Sequence, residues 1–297
     1  MAEFPLSQLI DTCPGRLHHL FSSYLGNIPS LELKSSMQYT LETGGKYLRP
    51  LLIYATGLTF KASLDNLDIP ASAVELIHTY SLIHDDLPCM DNANLRRGKP
   101  TCHKVYGEAI AILTGDALHT LAMQIIAGHP APLKPERRVR MMHALTKACG
   151  AFGMAAGQAI DINIGNDTSI PSRLLESMYK LKTGALFSAC VELGHLASPD
   201  DDDIHRTALQ EFSERIGLAF QIQDDILDLE ATTETLGKPQ GIDATNNKIT
   251  YPGLLGMAAA KERVQTLYLQ ALESIDYLGS RAQLLRELIR YMLARKN

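Results

Sequence analysis

Apolar residues recur with helical periodicity over most of the chain. In six long segments the positions i, i+3, i+4 and i+7 are apolar, and no stretch bounded by turn residues alternates with a period of two. Because these segments exceed the mean helix length of about 11 to 12 residues, the pattern predicts an all-α bundle of about ten or more helices. The segments span residues 71–87, 105–127, 136–164, 173–197, 204–229 and 254–275.

Polar breaks rich in Gly and Pro separate the helical segments. One break is predicted at 61–70, with the sequence KASLDNLDIP, and only the break at 231–253 is long. A loop of that length is more often a functional lid than an idle connector. No linker divides the chain, so residues 1–297 are expected to form a single domain.

Composition excludes several function classes. The 297 residues carry a net charge of −5, which gives no electrostatic reason to expect nucleic acid as a partner. The five cysteines form no CxxC pair, which argues against structural zinc and favours a reducing cytoplasm. No basic and apolar leader and no uncharged apolar stretch of about 18 residues is found, so membrane insertion is not expected.

The sequence HDDLPCMD crowds carboxylates at the end of an apolar segment. Asp85 and Asp91 are six residues apart and would lie on different faces of an ideal helix. Pro88 lies between them, and an internal proline removes a hydrogen bond and clashes with the preceding turn. We therefore predict that the helix kinks or ends near 87–89 and that Asp91 folds back towards Asp85.

A second acidic cluster, QDDILD, also follows an apolar segment. Asp224 and Asp228 are four residues apart and share one face of a helix. One such cluster alone is also typical of a solvated helix face, but two in one chain point to a bound cation. Carboxylates without paired Cys or an HExxH sequence favour Mg²⁺, which takes oxygen ligands and is usually completed by substrate phosphates.

Cations that could bind those phosphates occur beside Gly and Pro and near the acidic clusters. Any single one is ordinarily a surface residue, but their shared context favours diphosphate binding. They are Lys46, Arg49, Arg96, Arg97, Lys182, Lys238 and Lys248.

Six ordered segments of the chain resemble the motifs of the short-chain trans-prenyl diphosphate synthases. They are GGKYLRP, HDDLPCMD, LRRGKPT, YKLKTGAL, FQIQDDILD and LGKPQGIDATNNKITYP. The resemblance implies the all-helical isoprenoid synthase fold around a deep central cavity, in a homodimer. It also implies condensation of isopentenyl diphosphate with an allylic diphosphate, using about three Mg²⁺ ions in each active site.

The resemblance also assigns residues by their matching positions. The metal clusters would be Asp85, Asp86, Asp91, Asp224, Asp225 and Asp228. The allylic diphosphate would be held by Arg96, Lys182, Thr183, Gln221, Lys238 and Lys248. Isopentenyl diphosphate would be held by Lys46, Arg49, His78 and Arg97. The residues expected to matter most for the reaction are Asp85, Asp91, Asp224, Lys182 and Arg96.

Product length is predicted from the helix that carries the first acidic cluster. A growing tail whose diphosphate lies at Asp85 runs back along that helix, over Ser81 and Tyr80. A tyrosine there would block the cavity, which in this family is typical of a C15 product, (2E,6E)-farnesyl diphosphate. The alternative products are C20 and C10. The alternative interpretation of Tyr80 is a core residue with no effect on product length.

The sequence departs from the family pattern at two places, and two other functions compete with the synthase interpretation. Tyr47 replaces a residue that is commonly basic in the family, and Ala93 and Asn94 replace frequent aspartates. A terpene cyclase or squalene-type synthase also uses aspartate-rich helices, but it would not explain the second set of cations. A regulatory subunit of a heteromeric synthase would be expected to lack one acidic cluster.

Overall fold

The computed structural model describes residues 4–130, 132–165, 169–200, 203–230 and 249–294. Helices dominate these residues, and the all-α prediction is confirmed. A short antiparallel hairpin pairs β1 (Leu95–Arg96) with β2 (Lys99–Pro100). Two 3₁₀ helices span Asp203–His205 and Asp276–Ala282.

Four helices form the first part of the chain: α1 (Leu6–Leu25), α2 (Leu31–Leu41), α3 (Leu48–Thr59) and α4 (Leu64–Asp85). The predicted break at 61–70 is wrong after its first residues. The Ser63 hydroxyl accepts a hydrogen bond from the Asn66 amide at 3.3 Å and starts α4 there. Pro70 lies inside the helix.

Glycines divide several of the predicted long segments. Gly107 (φ 83°) separates α5 (Cys102–Tyr106) from α6 (Glu108–Gly128), and Gly256 (φ 88°) separates α12 (Tyr251–Leu255) from α13 (Met257–Ser274), because both adopt a backbone conformation that side chains disfavour. The remaining helices are α5 (Cys102–Tyr106), α6 (Glu108–Gly128), α7 (Pro135–Cys149), α8 (Met154–Ile164), α9 (Ser172–Tyr179), α10 (Ala185–Leu196), α11 (Arg206–Glu230), α12 (Tyr251–Leu255), α13 (Met257–Ser274) and α14 (Gln283–Ala294).

Helix α4 lies at the centre of the main core. Its residues from Ile69 to Ile77 are buried on every side, and it packs against α3, α6 and α10. A smaller apolar cluster joins α9, α11 and α13. The two acidic clusters therefore lie at the carboxyl-terminal ends of two well-buried helices, α4 and α11.

Helix α6 is long and apolar enough to span a membrane by length and composition, and 39% of the relevant window is buried. A core helix passes the same test, and α6 packs along α4. Ile125 and Ile126 of α6 are buried, whereas Ile112 and Leu113 are exposed. The outer face of α6 is therefore apolar at these two positions.

Candidate active site

The turn after α4 brings the backbones of Asp85 and Asp91 together. The helix ends at Asp85, slightly before the predicted 87–89, and Pro88 lies in the turn that follows. The Asp91 amide donates a 2.8 Å hydrogen bond to the Asp85 carbonyl, so the chain does fold back as predicted. The turn replaces the regular helix that would have separated the two residues.

Asp86 is turned towards the protein instead. Its side chain is 4% exposed and accepts two hydrogen bonds from Arg96 Nε, at 2.8 and 3.0 Å, and one from Arg96 Nη2 at 2.7 Å. Burial raises the pKa of Asp86, and the guanidinium opposes that shift. The forked contact fixes Arg96 beside Asp85 and Asp91.

The β1–β2 hairpin positions the neighbouring arginine. Arg97 and Gly98 form its two-residue turn with positive φ angles of 52° and 76°, the pattern of a type I′ turn. Gly98 suits this conformation, whereas Arg97 adopts it at some cost. The Arg97 guanidinium lies against Gly45, where a Cβ would come within 2.9 Å of it. Arg97 therefore lies over the chain that carries Lys46.

A π-helical turn, Lys180–Gly184, joins α9 to α10 and carries Lys182 and Thr183. Such turns occur often at functional sites because they redirect side chains within a helix. The Lys182 ammonium donates to Asp161 of α8 at 2.6 Å. Gly157 lets α8 approach this turn, since a Cβ there would come within 2.2 Å of the Lys182 amide nitrogen.

A hydrogen-bonded chain connects the π turn to α11. The Thr183 hydroxyl donates to Gln221 Oε1 at 2.6 Å, and Gln221 Nε2 donates to Asp225 at 3.1 Å. Asp225 also accepts from the Tyr179 hydroxyl at 2.5 Å and from the Tyr251 amide at 2.8 Å. Burial raises the pKa of Asp225 to about 7 despite these donors.

Asp225 thus holds the start of α12 against α11. Its neighbour Asp224 is half-buried, and Asp228 is 2% exposed, both on the same continuous helix. Asp224 and Asp228, four residues apart, therefore lie in regular helix, as the sequence predicts.

Arg49 of α3 meets His78 of α4 two turns before Asp85. Arg49 Nη1 lies 3.4 Å from His78 Nε2, and its guanidinium lies over the Phe187 ring at 5.1 Å. Burial, followed by the positive charges of Arg49, Arg97 and Arg96, holds the pKa of His78 well below its ordinary value. His78 is therefore neutral at neutral pH and can accept from Arg49.

Part of this set lines one cavity of about 340 Å³, whereas Asp91, Asp224 and Asp228 are not among its lining residues. Its polar lining includes Asp85, Arg49, His78, Lys182 and Thr183. Its other walls include Tyr80, Ser81, Leu82, His84, Met90, Met154, Ala155 and Gln158. Arg96 and Arg97 line a separate small recess beside Asp86. Another cavity, of about 290 Å³, lies between α7, α10 and α11 and contains no predicted site residue.

Sequence reasoning missed the contribution of α8. Gln158 lines the cavity, and its Oε1 is buried with no hydrogen-bond partner in the part of the chain that the structure describes. Asp161 pairs with Lys182. These residues are three apart in the segment GQAID and share one helix face, so two polar residues in an apolar helix were the available signal.

Several predicted residues have other surroundings. Lys46 is exposed just before α3, and Ser81 donates to the His78 carbonyl at 2.9 Å. Lys238, Lys248 and most of the predicted lid lie outside the described residues, although α12 already begins at Tyr251.

The departures from the family pattern have local explanations. The buried Tyr47 hydroxyl lies 2.9 Å from His18 Nε2, so this side chain packs towards α1. Thr101 holds the loop around Ala93 and Asn94: its hydroxyl donates to the Ala93 carbonyl at 2.8 Å and its amide to the Asn94 carbonyl at 3.1 Å. No aspartate side chain is needed to shape this loop.

Within the described ranges, no three His, Cys, Asp or Glu side chains converge to hold a metal without help. The donor set still fits a hard cation. Asp85 and Asp91 are adjacent through the turn, and their oxygen donors suit Mg²⁺ that is completed by phosphate and water.

The fold and the cavity define an all-α protein suited to an anionic ligand with an apolar tail. The chain belongs to the polyprenyl synthetase family, whose sequence pattern matches residues 30–285. It is 44% identical over 283 residues to farnesyl diphosphate synthase of Escherichia coli (strain K12), with 94% of each chain covered. It is 42% identical over 249 residues to the chloroplastic geranylgeranyl pyrophosphate synthase of Capsicum annuum, covering 84% of this chain and 67% of the relative.

A solved structure shares the fold. The geranyltransferase of Helicobacter pylori, complexed with magnesium and isoprenyl diphosphate, superimposes with a TM-score of 0.81 at 33% identity. The match covers 99% of this chain and 98% of that one.

Proposed function

We propose that this chain catalyses the Mg²⁺-dependent head-to-tail condensation of isopentenyl diphosphate with dimethylallyl and geranyl diphosphate. The products are (2E,6E)-farnesyl diphosphate and diphosphate. The observation that carries the proposal is a single cavity with Asp85, Arg49 and Lys182 among its polar groups and Tyr80 and Met154 among its apolar walls. The similarity to the Escherichia coli enzyme supports the same activity.

Asp85, Asp91 and Asp224 are the proposed direct Mg²⁺ ligands, and about three ions are expected by family resemblance. When bound, Mg²⁺ neutralises charge on the departing diphosphate. Asp86 and Asp225 contribute differently, because their oxygens already bind Arg96, Tyr179 and the Tyr251 amide. We assign them the role of fixing the groups around the ions.

The cationic side chains hold the two diphosphates. Lys182 and Thr183 face the cavity from the π turn and are assigned to the allylic substrate. Arg49 and neutral His78 are assigned to isopentenyl diphosphate. Preorganised positive charge stabilises the diphosphate as it leaves, and removal of one such donor typically costs about 3 to 4 kcal/mol.

The resulting allylic carbocation is attacked by the double bond of isopentenyl diphosphate. Proton loss to the released diphosphate completes the product, so no side chain is assigned as the base. The apolar cavity walls exclude water that would quench the cation. Tyr80 limits the depth of the cavity and favours a C15 product, with C20 and C10 as alternatives.

We further propose a single-domain, cytoplasmic homodimer. All five cysteines are free thiols, as expected in a reducing compartment. The outer face of α6 exposes Ile112 (44%) and Leu113 (53%), and a second copy would cover this apolar surface.

Purified protein incubated with Mg²⁺, isopentenyl diphosphate and dimethylallyl or geranyl diphosphate should yield a C15 diphosphate on chromatography. Asp224→Ala should lower turnover by at least about 100-fold, since it removes a proposed metal ligand. Its thermal unfolding should stay close to that of the wild type, because Asp224 is only half-buried.

Near-normal diphosphate release by Asp224→Ala would contradict the ligand assignment. Absence of any condensation by the isolated wild-type chain would favour a regulatory subunit, and a cyclic hydrocarbon product would favour a cyclase.

A further inference from the structure

The barrier at Tyr80 is backed by two further helices. His119 of α6 meets the Tyr80 ring edge-on, with ring centroids 5.1 Å apart and planes at 77°. Cys149, the last residue of α7, has its Sγ 3.8 Å from His119 Nε2. Tyr80 lines the cavity; His119 and Cys149 are not among the lining residues but contact Tyr80 and His119, respectively.

A second imidazole holds Tyr80 from its own helix. The His84 ring lies edge-on to Tyr80 at 5.5 Å and 84°. His84 Nε2 lies 3.2 Å from the Ile112 carbonyl, and a Cβ at Gly115 would come within 2.2 Å of it. The close contact with α6 therefore fixes His84, and Tyr80 is held between imidazoles of α4 and α6.

The groups behind Tyr80 suit a hydrocarbon. Burial lowers the pKa of His119 and raises that of the Cys149 thiol to about 11, so both are neutral at neutral pH. Burial also raises the pKa of Tyr80 to about 12. His119 and Cys149 can therefore contact an isoprene unit without desolvating a charge, and the nearby Asp116 carboxylate is exposed on α6.

We infer that His119 is a second chain-length determinant, which positions the Tyr80 ring and forms the next barrier behind it. The inference rests on the proposed function. A tail that passes the Tyr80 position meets His119 and then Cys149. Removal of the Tyr80 side chain alone therefore deepens the cavity only as far as His119.

Product length in a series of variants tests this arrangement. Tyr80→Ala should shift the main product from C15 to C20, and Tyr80→Ala/His119→Ala should shift it further, to C25 or longer. His119→Phe in the Tyr80→Ala background should keep C20, because the bulk is retained. His119→Ala alone should add a C20 fraction to the C15 product, because Tyr80 loses one of its supports.

The matched control is His143→Ala, which removes an exposed imidazole from α7. It should leave product length unchanged. If the double variant and Tyr80→Ala give the same products, the inference is overturned.

Binding provides a second measurement for variants that lose turnover. The probes are the thiolodiphosphate analogues of geranyl and geranylgeranyl diphosphate, titrated by calorimetry into protein shown to be folded by circular dichroism. The double variant should bind the C20 analogue about tenfold more tightly than Tyr80→Ala does, because one more isoprene unit is buried. Affinity for the C10 analogue should not change.

Equal affinities of the two variants for the C20 analogue would overturn the inference. A wild-type chain that forms no C15 product would contradict the proposed function instead, while the comparison of single and double variants would still judge His119.

Discussion

At the residue scale, the six aspartates of the two clusters have different surroundings. Asp85 lines the cavity, whereas Asp86 binds Arg96 and Asp225 binds Tyr179 and the Tyr251 amide. These hydrogen bonds occupy part of the lone-pair capacity of Asp86 and Asp225, so their oxygens are less available to a metal ion. We propose that the second aspartate of each DD pair mainly holds the protein groups around the ions.

Arg96→Ala should reduce the free energy of unfolding by about 2 to 4 kcal/mol. It leaves the Asp86 carboxylate, 4% exposed, without its forked partner. The loss should be smaller than for a fully buried pair, because the Arg96 side chain is 35% exposed and solvent screens its charge. Urea unfolding monitored by circular dichroism measures the change.

The matched control is Arg96→Lys, which retains the charge but not the two parallel hydrogen bonds, so its loss should be smaller. If Arg96→Ala unfolds at the same urea concentration as the wild type, the pair does not stabilise this region.

At the element scale, the π turn is the feature that joins the site together. It presents Lys182 and Thr183 to the cavity and contacts α8 through Gly157 and α11 through Gln221. A regular helix through 180–184 would place one residue fewer in this turn and rotate these side chains away.

Gly157→Ala should displace the π turn, because the new Cβ would meet the Lys182 backbone nitrogen within 2.2 Å. Backbone cannot yield as a flexible side chain can, so the free energy of unfolding should fall by about 1 to 3 kcal/mol. KM for the allylic substrate should rise as well, which steady-state kinetics measures.

Gly15→Ala is the matched control, since Gly15 is exposed in α1 and has nothing within 4 Å of the new Cβ. It should be neutral or stabilising by up to about 1 kcal/mol, from helix propensity alone. Equal behaviour of the two variants would show that the α8 contact is not tight.

At the scale of the whole molecule, α6 has two roles. Its inner face packs on α4 and supplies His119 behind the cavity, while its outer face exposes Ile112 and Leu113. If a second copy covers the outer face, the same helix connects the dimer interface to the floor of the active site.

Leu113→Lys should therefore weaken the proposed dimer, because it places a charge in an apolar interface. Light scattering coupled to size-exclusion chromatography should show a monomer fraction that grows on dilution.

Leu269→Lys, on the exposed face of α13, is the control and should leave the mass unchanged. An unchanged mass for Leu113→Lys at all concentrations would place the interface elsewhere or exclude a dimer.

The sequence alone determined the helical class, the two acidic helix ends and the fold-back of Asp91. These features depend on local physics: the apolar period, the four-residue spacing and a proline that cannot continue a helix. The same local reasoning misplaced the break at 61–70, because the Ser63 cap starts α4 early and the core keeps Pro70 in the helix.

Tertiary structure decided which residues work together. The pairing of Asp86 with Arg96, of Asp161 with Lys182 and of Tyr80 with His119 joins residues 10, 21 and 39 positions apart. No helical or strand period connects such positions, since their contact depends on how whole helices pack. The residue types therefore indicate the chemistry of the site. The packing of α4 against α6 and α7 decides which side chains lie next to Tyr80 and so how deep we expect the cavity to be.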